Sequence, residues 1–108
     1  MNTVQLSGWL ARDPEARYFE SGSVVASTAI GIQEYKKGDD AKTNFVEVKA
    51  WGKTAEFMCQ YLKKGSYLIA TGRLEVETWE KDGNKRSKTV VVLDRVETPP
   101  KPKGDTPF

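Results

Sequence analysis

The 108-residue chain contains no histidine and one cysteine. Without histidine, zinc sites built from His and Cys ligands are excluded, as are the Ser-His and Cys-His nucleophile pairs of hydrolases. A single cysteine cannot form an internal disulfide, which fits a reducing compartment such as the cytosol. We expect Cys59 to pack within a helix rather than to act as a reactive thiol.

Other features are also missing. The sequence has no Gly-rich phosphate loop and no apolar run long enough to span a membrane. We expect no signal peptide, because the first residues show a strand pattern without a basic and an apolar region. We therefore expect no cofactor, no metal and no membrane partner. Catalysis by two carboxylates stays open, but no pattern of Asp and Glu residues supports it, so we do not expect an enzyme. The net charge of +2 is too small to indicate nucleic-acid binding by itself.

The clearest pattern is the strand-like alternation of residues 45–51. One face is apolar and predicts core residues: Val46, Val48 and Ala50. The other face carries two rings and two charges: Phe45, Trp51, Glu47 and Lys49. Because charges are rarely buried unless paired, we expect this second face at the surface. Exposed rings beside cations are what base stacking and phosphate binding require. The alternatives are aromatic residues that lie at the surface by chance, or a face that a second subunit covers.

Four further segments have strand character: Asn2–Ala11, Val24–Tyr35, Tyr67–Glu80 and Ser87–Glu97. Lys53–Lys64 has the apolar spacing of a helix, with Gly65 as its expected C-terminal cap. Trp79 shares a strand face with charges, and an Asp-Gly turn follows it. Trp9 lies on the polar face of the first strand, where it is either a binding aromatic or a subunit contact.

The order strand, strand, strand, helix, strand, strand predicts an all-β OB-fold, a five-stranded, partly open Greek-key barrel with one helix between strands 3 and 4. A single helix disfavours a doubly wound α/β sheet. We assign residues 1–98 to this domain. Residues 99–108 form a Pro-rich stretch that predicts a disordered tail ending in Pro107-Phe108.

Several motifs, spread over about residues 2 to 96, match one family in order and spacing. They are Asn2-Thr3-Val4, Asp13-Pro14-Glu15, Arg17-Tyr18, Trp51-Gly52-Lys53-Thr54-Ala55-Glu56, Tyr61-Leu62-Lys63-Lys64-Gly65-Ser66, Gly72-Arg73-Leu74 and Trp79. The chain resembles the bacterial single-stranded DNA-binding proteins and looks closest to their cyanobacterial members. The resemblance implies a nucleoid-associated cytoplasmic protein that binds single-stranded DNA in replication, recombination and repair, and a homotetramer built as a dimer of dimers.

The resemblance also implies a binding site. The base-stacking rings of the family fall on Tyr35, Phe45, Trp51 and Trp79. The predicted phosphate contacts, some matched to the family and others on or beside the same surface, are Arg17, Lys36, Lys37, Lys49, Lys53, Lys64, Arg73, Lys81, Lys85 and Arg86. In the family, the C-terminal tail recruits replication and repair proteins, which points here to Asp105, Pro107 and Phe108.

The chain departs from the family pattern in its charge. Glu47 and Glu77 stand where well-known members carry Arg, and Asp105 is the one acidic residue close to the terminal Pro107-Phe108. We therefore predict that stacking contributes more affinity than charge. A second hypothesis stays open, namely an OB-fold assembly module of a replication-restart (primosome) complex that binds DNA weakly. RNA also stays open as the ligand, since stacking does not read the sugar.

Overall fold

The computed structural model describes residues 1–34 and 42–99, which form six strands and one helix. These elements are β1 (Val4–Leu10), β2 (Glu15–Tyr18), β3 (Val24–Glu34), β4 (Lys42–Trp51), α1 (Gly52–Tyr61), β5 (Tyr67–Lys81) and β6 (Asn84–Glu97). The predicted all-β class with a single helix is confirmed. Within the described ranges, no helix is both long and apolar enough to cross a membrane.

The strands pair in the order β1-β5-β6-β4-β3-β2, and an added pairing of β1 with β3 closes five of them into a ring. This arrangement is the predicted OB-fold. Two of its junctions are short. β1 meets β3 at Trp9↔Gly31 and Leu10↔Ile30, and β4 meets β6 in parallel over three residue pairs.

The short strand β2 was not predicted from the sequence. It pairs antiparallel with β3, from Glu15↔Ser27 to Tyr18↔Val24, and lies outside the ring. All four of its residues are exposed, so no alternation of apolar and polar residues marks it. Because β2 is counted in the chain order, the predicted helix between strands 3 and 4 lies between β4 and β5 here.

The interior of the ring is filled by the apolar faces that alternation predicted. Val48 and Ala50 of β4 are buried with Ile30 of β3 and Leu68 of β5, and Met58 of α1 packs against them. Thr28 is a fully buried polar residue, and its hydroxyl donates a hydrogen bond of 2.7 Å to the Arg12 carbonyl. The helix therefore covers the apolar interior of the ring, as its sequence pattern indicated.

Several local predictions were wrong. The helix ends at Tyr61, so Lys63, Lys64 and Gly65 lie in the turn that follows it rather than in its last turn and cap. Cys59 is on the exposed side of the helix. Its partial burial nevertheless raises the pKa of the thiol, which disfavours the reactive thiolate.

The outer half of β5 does not continue the core face of its inner half. Leu74 and Val76 follow the same alternation as the buried Leu68 and Ala70, but both are exposed. Beyond Leu74, β5 pairs with β6 alone, so this part projects from the ring as a two-stranded hairpin with no interior to fill. At its tip, Asp82 (φ 51°) and Gly83 (φ 79°) form the predicted turn, in which both central residues have positive φ.

Gly8 permits the backbones of β1 and β3 to approach each other where the ring of strands closes. A Cβ added to Gly8 would lie 2.3 Å from the Gly31 carbonyl oxygen, a separation that real side chains do not reach. Any larger residue at this position must therefore push β1 away from β3.

Gly8→Ala should destabilise the fold by about 1–3 kcal/mol, the usual effect of overpacking a closely packed site. Urea unfolding of the Gly8→Ala variant and of the unaltered chain measures this difference in the free energy of unfolding. The matched control is the neighbouring exposed residue in Ser7→Ala, which should change stability by less than about 0.5 kcal/mol. Equal stabilities for Gly8→Ala and Ser7→Ala would show that the close approach is not a constraint.

Candidate nucleic-acid interface

Three of the four predicted stacking rings lie in the described residues, and all three are on the outside of the ring of strands. Phe45 is 67% exposed, Trp51 43% and Trp79 44%. Phe45 and Trp51 occupy the same face of β4, six residues and so roughly 20 Å apart. Trp79 lies on the β5–β6 hairpin, directly across from Arg86. The predictions for Tyr35, Lys36 and Lys37 fall outside the described residues.

Trp51 is part of a row of stacked groups. Its ring stacks on Phe19 with centroids 5.6 Å apart and planes inclined by 24°. The Arg17 guanidinium lies 5.9 Å from the Phe19 ring, and the Lys49 ammonium lies 5.8 Å from the Trp51 ring. Sequence reasoning missed Phe19, although its position beside Arg17 and Tyr18 was a usable signal. These contacts hold the Trp51 indole in place, and they put a positive charge beside the Phe19 ring and beside the Trp51 ring.

A groove of about 260 Å³ runs beside this row. We call it the Trp51 groove. Its charged and aromatic lining consists of Arg17, Phe19, Glu47, Lys49, Trp51, Glu77 and Lys88. Lys88 is a second residue that the sequence reading did not assign to the site, since it lies beyond the hairpin cations in the chain. The groove can therefore receive a ring against Trp51 and an anion at Arg17 or Lys88.

Lys49, a predicted phosphate contact, is held between two carboxylates. Its ammonium lies 3.2 Å from Glu75 Oε1 and also forms a hydrogen bond and ion pair with Glu77 Oε2. The side chain is only 16% exposed. Burial lowers the pKa of Lys49, but the hydrogen bonds and charges of Glu77 and Glu75 outweigh it, so its pKa is raised. Lys49 stays protonated, and the three side chains together carry a net negative charge.

Two other ion pairs lie on the same surface. Arg12 donates to Glu47 at 2.8 Å, and Arg73, another predicted phosphate contact, donates to Asp94 at 3.1 Å. All four side chains are largely exposed, and exposed pairs of this kind contribute only about 0–1 kcal/mol. Arg73 can therefore leave the Asp94 carboxylate and bind a phosphate at a small cost in free energy.

The remaining predicted cations in the described residues are exposed, and none forms an ion pair with another described residue: Arg17, Lys53, Lys64, Lys81, Lys85 and Arg86. They are not gathered into one patch. Three lie at the hairpin tip near Trp79, one in the first turn of α1 beside Trp51, one on β2, and one in the turn after α1. Positive charge thus flanks the rings, while the Glu residues lie between them.

In residues 1–34 and 42–99, no group of three or more His, Cys, Asp or Glu side chains could hold a metal ion. The predicted partner-binding residues Asp105, Pro107 and Phe108 lie outside the described residues.

Comparison with known proteins shows which family the chain belongs to. The sequence model described as "Single-strand binding protein family" matches residues 1–99. The single-stranded DNA-binding protein 1 of the cyanobacterium Synechocystis sp. is 35% identical over 99 residues, covering 90% of this chain and 82% of the relative. The single-stranded DNA-binding proteins of Wolinella succinogenes and Thermus thermophilus are 43% and 40% identical over 89% and 92% of this chain.

These relatives differ in length from the present chain, which spans 62% of the Wolinella protein and 38% of the Thermus protein. The shared part includes the whole ring of strands, α1 and the exposed rings of β4 and β5. The resemblance identified from the sequence motifs is therefore confirmed. The chain belongs to the single-strand binding protein family.

Proposed function

We propose that the chain binds single-stranded DNA without sequence preference. Bases stack on Phe45, Trp51 and Trp79, with Tyr35 as a fourth ring assigned by resemblance, and phosphates contact the cations that flank these rings. The observation that carries this proposal is the exposure of three large rings on the outer face of the fold, beside cations that have no carboxylate partner among the described residues. The names of the relatives support the same ligand.

Stacking should contribute most of the affinity. Each base stacked on an aromatic ring is worth about 1–3 kcal/mol by alanine substitution. Charge contributes through counterion release, with a slope of log K against log salt near −0.7 per neutralised phosphate. Here Lys49 is already held by two carboxylates, so fewer cations are free to neutralise phosphates than the sequence count suggests.

The replication-restart hypothesis is not favoured. It rested on the acidic residues of the outer face, but Glu47 is paired with Arg12, and Glu75 and Glu77 share Lys49. The three relatives described above are all named as DNA-binding proteins, and none is named as an enzyme. We propose accordingly that the chain is not an enzyme and acts in DNA replication, recombination and repair.

Assembly and partner recruitment are further proposals that rest on resemblance. The chain would form a homotetramer, arranged as a dimer of dimers, that wraps the strand. Residues 99–108 would serve as a tail separate from the domain of residues 1–98, and Asp105, Pro107 and Phe108 would contact replication and repair proteins. Sedimentation of the free protein at micromolar concentration tests the first proposal, and a pure monomer would contradict it.

Trp51→Ala and Trp79→Ala should each weaken binding of a fluorescein-labelled oligo-dT by ~5–150-fold, the equivalent of losing one stacked base. Fluorescence anisotropy measures the dissociation constants. Tyr61→Ala is the matched control, because Tyr61 is an exposed aromatic ring on α1 that does not line the Trp51 groove. Unchanged affinity in both tryptophan variants would remove the stacking mechanism, and the same titration with oligo-rU tests RNA as a ligand.

Glu77→Gln should strengthen oligo-dT binding, because it removes one of the two carboxylates that neutralise Lys49. If Lys49 then contacts a phosphate, the slope of log K against log salt should steepen by about 0.7. The matched control is Glu97→Gln, which removes an exposed carboxylate paired with Arg95 at the other end of β6. Weaker binding by Glu77→Gln than by the unaltered chain would show that the carboxylate supports the site.

A further inference from the structure

Three residues form a row across the outer surface of β1, β3 and β4. The strand register pairs Trp9 of β1 with Gly31 of β3, and Gly31 with Phe45 of β4. Directly paired residues point their side chains to the same face of a sheet. Trp9 and Phe45 therefore project on the same side, and the glycine between them contributes no side chain. Trp9 is 45% exposed, so its ring is accessible in the free chain.

The spacing of the strands leaves room for a base between the two rings. Neighbouring strands are about 4.8 Å apart, so β1 and β4 are roughly 9.6 Å apart across Gly31. The Phe45 ring leans towards Gly31, where an added Cβ would lie 3.3 Å from Phe45 Cε1. A base that stacks on Phe45 from the side of β1 would therefore lie between Phe45 and Trp9, and stacked rings have centroids about 4.5–7 Å apart. A cavity of about 270 Å³ lies at this position. Its lining includes Trp9, Gly31, Phe45 and Lys64, together with the polar residues Gln33 and Thr43.

The surroundings of the cavity fit an anionic ligand with a ring. The Trp9 ring contacts Tyr67 in a T-shaped arrangement, with centroids 5.0 Å apart and planes inclined by 67°. The backbone amide of Lys64 donates to Asp13 Oδ1 at 2.7 Å, which fixes the turn that carries its ammonium group. That ammonium forms no ion pair with any described residue. A cavity lined by exposed rings and a lysine matches a nucleotide, which has a planar base and a phosphate.

We propose that this cavity, the Gly31 slot, binds one nucleotide of the single strand, with the base between Trp9 and Phe45 and the phosphate at Lys64. The proposal rests on the proposed function and extends it, because the strand would continue from Phe45 across β3 to β1. The alternative is that a second copy of the chain covers Trp9. Phe45 is shared with the stacking surface and Lys64 supplies positive charge, and both features favour a nucleotide.

The chain has three tryptophans, so Trp51→Phe with Trp79→Phe leaves Trp9 as the single indole while keeping rings at both other positions. Trp9 emission should fall when this double variant is saturated with oligo-dT, with saturation established by anisotropy of a labelled oligonucleotide. Emission that stays unchanged at saturation would overturn the Gly31 slot. Failure of the unaltered chain to bind oligo-dT would instead overturn the proposed function.

A second measurement uses the chain with its other tryptophans intact. Trp9→Ala should weaken oligo-dT binding by ~5-fold or more, whereas Trp9→Phe should retain most of the affinity. Gly31→Ala should also weaken binding, because its Cβ would occupy the slot 3.3 Å from Phe45 Cε1. Thermal unfolding checks that each variant is folded. Unchanged affinity in Trp9→Ala would overturn the proposal. A loss of affinity that accompanies a smaller mass in sedimentation would also overturn it, because that result assigns Trp9 to a subunit contact.

Discussion

Val48 and Ala50 of β4 point into the ring of strands, where each is at most 2% exposed, and Met58 of α1 packs against the same core. Fully burying a valine side chain is worth about 1.5–3 kcal/mol, and a one-residue slip of β4 would turn the whole inner face outwards. The register is therefore strongly fixed. Phe45 and Trp51 lie on the opposite face as a direct consequence, and their exposure follows from the burial of their neighbours.

Charged residues influence how this surface can bind a strand, but the exposure of its rings follows from the burial of the opposite face of β4. The cations near the rings are dispersed, and acidic residues of β4 and β5 neutralise Arg12 and Lys49. A phosphate backbone crossing the middle of the Trp51 groove would meet a net negative cluster, whereas Arg17, Lys88 and the hairpin tip offer free positive charge. This distribution favours a strand whose bases face the groove centre and whose phosphates run along its margins.

Features set by local pattern could be predicted from the sequence. Alternation in β4 separated core from surface, the Asp-Gly pair marked the hairpin turn, and the apolar spacing of Lys53–Lys64 located the helix to within a few residues. The helix end was placed three residues too late because Gly65 adopts positive φ in a separate turn rather than as the helix cap.

Features that depend on distant contacts could not be predicted. The stack of Phe19 on Trp51 joins β4 to the turn after β2, and β2 itself has no buried residue to mark it. The capture of Lys49 by Glu75 and Glu77 joins two strands separated by the whole of α1. Alternation shows that these residues share the outer surface, but it does not show which of them touch. The row of Trp9, Gly31 and Phe45 likewise depends on the pairing of three strands.

The stacking surface is best tested by a crystal structure of the chain bound to oligo-dT. We expect thymine planes against the rings of Phe45, Trp51 and Trp79, with ring centroids about 4.5–7 Å apart. We also expect phosphates at the margins of the Trp51 groove, near Arg17 and Lys88. A strand bound elsewhere on the molecule, with these three rings left bare or covered by another protein chain, would contradict the proposed role of the outer face.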